Sequence, residues 1–205
     1  MKLDEQLNLV VPVDGASGVV FVHSTPISRE AFEAHFKLLA ATYADLFGRS
    51  ESYATVAPRV AKLTLVEQGR KIASADGRAG EDGGAAALLE DVKRLTVVAG
   101  STADGWSLLP VDAAIKKGLL EPEDWGEVES AIVFFTLVYW MTGRRSRGET
   151  VRVMASAIGL STTASPPSEW TSSLPRSTQE AASSEAPASD AEKTATGSLR
   201  LQVSR

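Results

Sequence analysis

The strongest periodicity in the chain runs from Ser28 to Gly48. Ser28 is a good helix cap, and Phe32, Phe36, Leu39, Tyr43, Leu46 and Phe47 follow it at three- and four-residue spacing, the interval that stacks side chains on one face of an α-helix. A second helix is predicted from Pro58 to the residue before Gly77, with Val60, Leu63, Val66 and Ile72 on its inner side. Proline suits a first helical position because its ring fixes φ and its missing N–H has no helical partner there. After a glycine-rich connector at 77–84, Leu88, Leu89, Val92 and Leu95 repeat with the same period. Further helices are predicted over 110–117, closed by Gly118, over 122–142 and over 150–158, with a loop at 100–105. Ahead of all of them, residues 7–13 and 19–24 are rich in Val and Leu and flank Asp14, Gly15, Ala16, Ser17 and Gly18, the pattern of a β-hairpin. Pro12 cannot donate to a ladder, which puts the first strand at an edge or ends it there.

The pattern stops near residue 160. From 161 to 197 the only large apolar side chains are Trp170 and Leu174, among Ser, Thr, Ala and Pro, too little to offset the entropy of ordering the segment. Leu199, Leu201 and Val203 then alternate like a strand in search of a partner. The expectation is a mainly α fold with a small N-terminal β-hairpin (α+β). Residues 1–160 fold, and residues 161–205 form a flexible, disordered tail.

The helix predicted over 122–142 is apolar nearly all round. Trp125, Ile132, Phe135 and Tyr139 share one face, Phe134, Val138 and Met141 another, and Trp140 adds to the load. Such a helix must be covered on nearly every side. Either it is the central core helix, or part of it is covered by another subunit or a client, since aromatic and Met side chains dominate interface cores. Its acidic start at Glu121, Glu123, Asp124, Glu127 and Glu129, and Arg144, Arg145 and Arg147 past its end, complement the helix dipole. Its longest apolar run, 131–141, falls short of the roughly 20 residues that cross a bilayer. Asp4 and Glu5, close after Lys2, do not fit a secretory leader. A cytoplasmic protein without a membrane partner is expected.

At 205 residues, 43% hydrophobic and 23% charged, the chain has globular composition. It has no cysteine, which removes disulfides and thiolate metal sites, and its net charge of -5 argues against constitutive nucleic-acid binding. His23 and His35, the only histidines, do not stand at the spacing of known metal ligands. The glycines of the connector lack the Gly-Lys-Ser/Thr ending that holds nucleotide phosphates, and no Gly-x-Ser-x-Gly elbow is present. Glu123, Asp124 and Glu127 sit where a helix start favours charge, with no reason for the separated pKa values of an acid/base pair. Arg144, Arg145, Arg147 and Arg152 read as an end-of-helix surface or a protein contact in preference to a phosphate site. No enzyme activity, metal or cofactor is expected.

Three stretches carry a family resemblance: Pro122-Glu-Asp-Trp-Gly-Glu-Val-Glu-Ser-Ala-Ile-Val-Phe-Phe, Ala57-Pro-Arg-Val-Ala-Lys-Leu and Trp170-Thr-Ser-Ser-Leu-Pro-Arg-Ser-Thr. Together they resemble the tail assembly chaperones of long-tailed (siphovirus-like) bacteriophages and prophages. The resemblance implies a non-enzymatic factor that binds the aggregation-prone tape measure protein, recruits tail tube (major tail) subunits around it and is absent from the finished particle. It also implies a short form or the portion shared with a longer frameshifted form, and a tail that acts as a tether. In that setting Trp125, Phe134, Phe135, Tyr139 and Trp140 supply the client surface or a self-association surface, with Arg144 and Arg145 on its rim. A minor structural or tail-completion protein of the virion is the alternative.

Overall fold

The computed structural model describes residues 6–15, 18–48, 56–102 and 105–175. Among these the chain runs β1 (Asn8–Gly15), β2 (Gly18–Ser24), α1 (Arg29–Ala34), α2 (Phe36–Phe47), α3 (Ala57–Ala75), α4 (Ala85–Arg94), β3 (Thr96–Thr102) and β4 (Gly105–Pro110). It continues through α5 (Val111–Lys116), α6 (Pro122–Met141), α7 (Arg147–Ala157), β5 (Ser161–Thr163) and α8 (Pro167–Ser172). The strands form one antiparallel sheet in the order β4-β3-β2-β1-β5. This corrects the expectation of a mainly α fold with a small hairpin: eight helices pack with a five-stranded sheet, and the molecule is α+β. The predicted hairpin forms two strands of that sheet, joined through Gly15 and Gly18.

A second hairpin, β3 with β4, falls where a loop was expected. Its strand β3 ends in Ala99, Gly100, Ser101 and Thr102, with no large apolar side chain to mark it. Gly100 lies under Leu119, and a Cβ there would come within 3.2 Å of Leu119 Cδ1. This glycine serves close packing in a strand, a role it shares in sequence with turn glycines.

Successive strand residues face opposite sides, and the register assigns them. Leu9, Val11, Val20, Val22 and Val98 join the main core with the helices. Val10, His23 and Val97 lie side by side on the other face, as do Phe21, Ala99 and Leu108. The core is centred on α6, which is buried from Ile132 to Tyr139 without interruption. Helices α2, α3, α4 and α7 and strand β1 enclose it, so the all-round apolar pattern is met by the chain's own elements. Lys62 of α3 pairs with the buried Glu129 of α6, and the backbone N–H of Lys62 donates to Ser130 Oγ at 3.2 Å. The connector at 77–84 is not a loose loop. Gly83 crosses Gly69 of α3 so closely that a Cβ on Gly69 would lie 2.1 Å from the Asp82 carbonyl oxygen. The Asp82 carboxylate then accepts from the N–H groups of Gly84 and Ala86 at 2.9 Å and starts α4.

The periodic run from Ser28 is broken into two helices. Ser28 Oγ accepts from Ala31 N at 3.2 Å, α1 ends at His35 (φ -104°, ψ 13°), and α2 begins beyond it. The disordered tail expected from residue 161 is also corrected as far as residue 175. β5 pairs with Asn8, Leu9 and Val10 at the sheet edge. The Trp170 ring meets Phe21 at 5.2 Å and His23 at 5.8 Å between centroids. The Ser165 carbonyl accepts from Asn8 Nδ2 at 2.8 Å and His23 Nε2 at 3.3 Å, and Trp106 Nε1 donates to the Pro175 carbonyl. Composition failed here because the segment borrows a strand edge and an aromatic seat made by other parts of the chain. The alternation at Leu199, Leu201 and Val203, like the rest of 176–205, lies outside the described residues.

Candidate functional site

The residues nominated from sequence divide at the end of α6. Trp125, Phe134, Phe135 and Tyr139 are buried. Phe134 stacks on Phe47 at 5.7 Å and meets Phe135 edge-on at 5.3 Å. Trp125, Phe134 and Phe135 lie within the core, whereas Tyr139, though buried, borders an open groove at the end of α6. Trp140 is half-buried at the rim, and Arg144 and Arg145 are exposed beyond it.

Around Trp140 the structure assembles a set of rings that no single stretch of sequence announces. Phe32 of α1 stacks on Trp140 with 4.8 Å between centroids and 11° between planes. Phe36, at the start of α2, meets Phe32 edge-on at 5.7 Å and is 52% exposed. Tyr139 packs edge-on against Trp140 at 5.2 Å. The Arg147 guanidinium sits over both, 4.3 Å from the Tyr139 centroid and 4.9 Å from that of Trp140, within cation–π range. Phe32, Tyr139, Trp140 and Arg147 line an open groove of about 930 Å³ that also receives Arg29, Arg94 and Arg144; Phe36 lies beside it, against Phe32. Arg29 pairs with Glu33 at 2.7 Å and Arg94 with Asp91 at 2.9 Å. Trp140 Nε1 and Arg147 Nε are buried and have no hydrogen-bond partner among the described residues.

The groove exists because α1 and α2 part at His35. A continuous helix would hold Phe32 and Phe36 on one inward stripe with Leu39; the break leaves Phe36 at a corner while Leu39 stays in the core. Phe32 and Phe36 were missed as site residues for that reason, as was Arg29, whereas Arg147 was read only as part of the surface beyond α6. The available signal was the pair of phenylalanines four residues apart in the first turns after a Pro26 and Ser28 start.

The remaining candidate chemistry is dispersed. Among the described residues no group of three His, Asp or Glu side chains comes together as a metal site. Glu123 and Glu127 are exposed and Asp124 is half-buried at the start of α6, whereas the carboxylate that is buried, Glu129, is held by Lys62. His23 is fully enclosed between the sheet and residues 161–175, and its burial pushes its pKa below the ordinary 6.5, opposed in part by the hydrogen bond to Ser165. Its Nδ1 and Asn8 Oδ1 are buried without partners among the described residues. No helix among the described residues is long and apolar enough to cross a membrane. Compared with known proteins, the chain matches no family model, no curated protein and no solved structure.

Proposed function

We propose that this chain is a non-enzymatic tail assembly chaperone of a long-tailed bacteriophage, acting in the cytoplasm of the bacterial host. It holds the tape measure protein and helps bring tail tube subunits to it. The observation that supports this reading is the strip Phe36, Phe32 and Trp140 with Arg147 above it, which ends in Phe36, 52% exposed. A chaperone of this kind needs exchangeable apolar surface and charge for solubility, and it needs no reacting groups. The site moves from the buried rings of α6 to its C-terminal rim: Trp140 remains in it, with Arg144 and Arg145 beside it, and Phe32, Phe36 and Arg147 are added.

The test is co-expression with a candidate tape measure protein, read as soluble tape measure and as a complex after pull-down, for the wild-type chain and for Phe36→Ala. Rescue by the wild type that Phe36→Ala weakens, with both chains equally folded, supports the proposal. No rescue by the wild type overturns it, and recovery of the chain in purified particles would move the assignment to a minor structural or tail-completion protein.

A further inference from the structure

The charge around the aromatic strip is not that of the chain as a whole. The sequence carries a net charge of -5, yet among the described residues the groove is lined by Arg29, Arg94, Arg144 and Arg147 against Glu33 and Asp91. Those two carboxylates are engaged in exposed pairs within single helices, Arg29 with Glu33 and Arg94 with Asp91, of the kind that contributes little and exchanges readily. Arg147 differs. Its guanidinium lies on two aromatic rings and no carboxylate among the described residues pairs with it. Its Nε–H and the neighbouring Trp140 Nε1–H are buried donors without partners among the described residues, so the guanidinium is held by the two rings and not by an acceptor. The opposing charge elsewhere on the chain acts over longer distances and is screened within about 10 Å at ordinary salt, so the local excess of arginine decides what the groove attracts.

We propose that the groove selects client segments in which carboxylates alternate with apolar side chains, and disfavours basic segments of equal hydrophobicity. The apolar side chains seat on Phe36, Phe32 and Trp140. A carboxylate reaches Arg147, where a guanidinium offers two parallel N–H donors. This inference rests on the groove being the client site and adds the chemistry by which a client is chosen.

The probes are three acetylated, amidated and fluorescently labelled peptides of one length, in which Leu and Trp alternate with Asp and Glu, with Asn and Gln, or with Lys. Anisotropy titrations with the full chain compare them at about 0.05 and 0.5 M NaCl. The acidic peptide is expected to bind roughly tenfold more tightly than the amide peptide at low salt, with the gap closing at high salt. Arg147→Gln and, as a variant on an exposed side chain, Arg29→Gln should each weaken the acidic peptide more than the amide peptide and so narrow that gap. Phe36→Ala should weaken both peptides alike. Equal binding of the acidic and amide peptides, tighter binding of the Lys peptide, or no binding of any peptide overturns the inference. If Phe36→Ala lowers tape measure rescue while no acidic preference is found, this inference falls and the chaperone reading stands. An acidic preference without rescue gives the reverse.

Discussion

The two faces of the sheet are covered by different means. On one, α6 contributes an unbroken buried run from Ile132 to Tyr139, and Phe134, Leu137, Leu39 and Leu65 close the layer with almost no exposed surface. On the other, residues 161–175 lay a three-residue strand and the six-residue α8 across Phe21 and His23, and no residue of α8 is buried. The first cover is held by apolar area, which is non-directional and accumulates over many side chains. The second is held by a ring in a seat and a few hydrogen bonds, each of which is individually small. The lesson is that one sheet can carry a core on one side and a removable strap on the other, with separate stabilities.

The largest effect that would break this contrast is on the helical side. Phe134→Ala should cost about 3 to 5 kcal/mol, as for other enclosed aromatic side chains, and unfold or severely destabilise the whole chain in a thermal melt followed by circular dichroism. On the strap side, Trp170→Ala should cost only about 1 to 2 kcal/mol. It should raise protease sensitivity around 161–175 while the helices keep their exchange protection; global unfolding by this variant would show that the strap belongs to the core. A third difference is in pH. His23 has its pKa lowered in the folded state by burial under the strap, so below pH 6.5 the unfolded chain takes up a proton that the folded one resists. Stability is undiminished above that value and falls as the pH drops below it, by at most about 1.4 kcal/mol per unit. Urea unfolding at pH 7.5 and 5.5 checks this, and His23→Gln should flatten the dependence. The smallest expected change in stability is at Phe36, where replacement by alanine should stay within about 0.5 kcal/mol and yet lower tape measure rescue, separating the rim of the helical cover from its interior.

The same contrast sets what was legible in the sequence. Helix α4 shows its inner face as periodic apolar side chains, and the ends of α3 and α6 were read to within a residue or two. The face expected inside α3 was wrong: Leu63 is 68% exposed, and the buried positions include Ala57, Ala61, Leu65, Gly69 and Ala73, mostly small residues that carry little apolar signal. The hairpin of β1 and β2 was legible as α4 was, since its inner valines recur and its turn is rich in glycine. Strand β3 was not, because packing under Leu119 demands a small residue at Gly100 and small residues look like a loop. The strap was not, because its order is supplied by Asn8, His23, Phe21 and Trp106, all distant in sequence. At the site, the sequence nominated Trp125, Phe134, Phe135 and Tyr139 together with Trp140, Arg144 and Arg145, and the structure buries the first four. The choice between core and surface depended on what covers each face of α6, which is a property of packing and not of period. Phe32 and Phe36 were visible as helix residues, but the break at His35 that turns them into a groove has no proline or glycine to announce it.

The crossing of Gly69 and Gly83 has a consequence for how freely this chain can change over generations. The two backbones meet where a single methyl group on either residue would strike the other segment, at 2.1 Å from the Asp82 carbonyl oxygen in one case and 2.2 Å from the Gly69 carbonyl oxygen in the other. Neither position can therefore drift on its own, because no replacement at one is made tolerable by the residue already at the other. Within the connector Gly77, Gly80 and Gly84 also hold positive φ and Asp82 caps α4, but Gly69 and Gly83 are the pair whose backbones meet, and replacing either displaces the other segment.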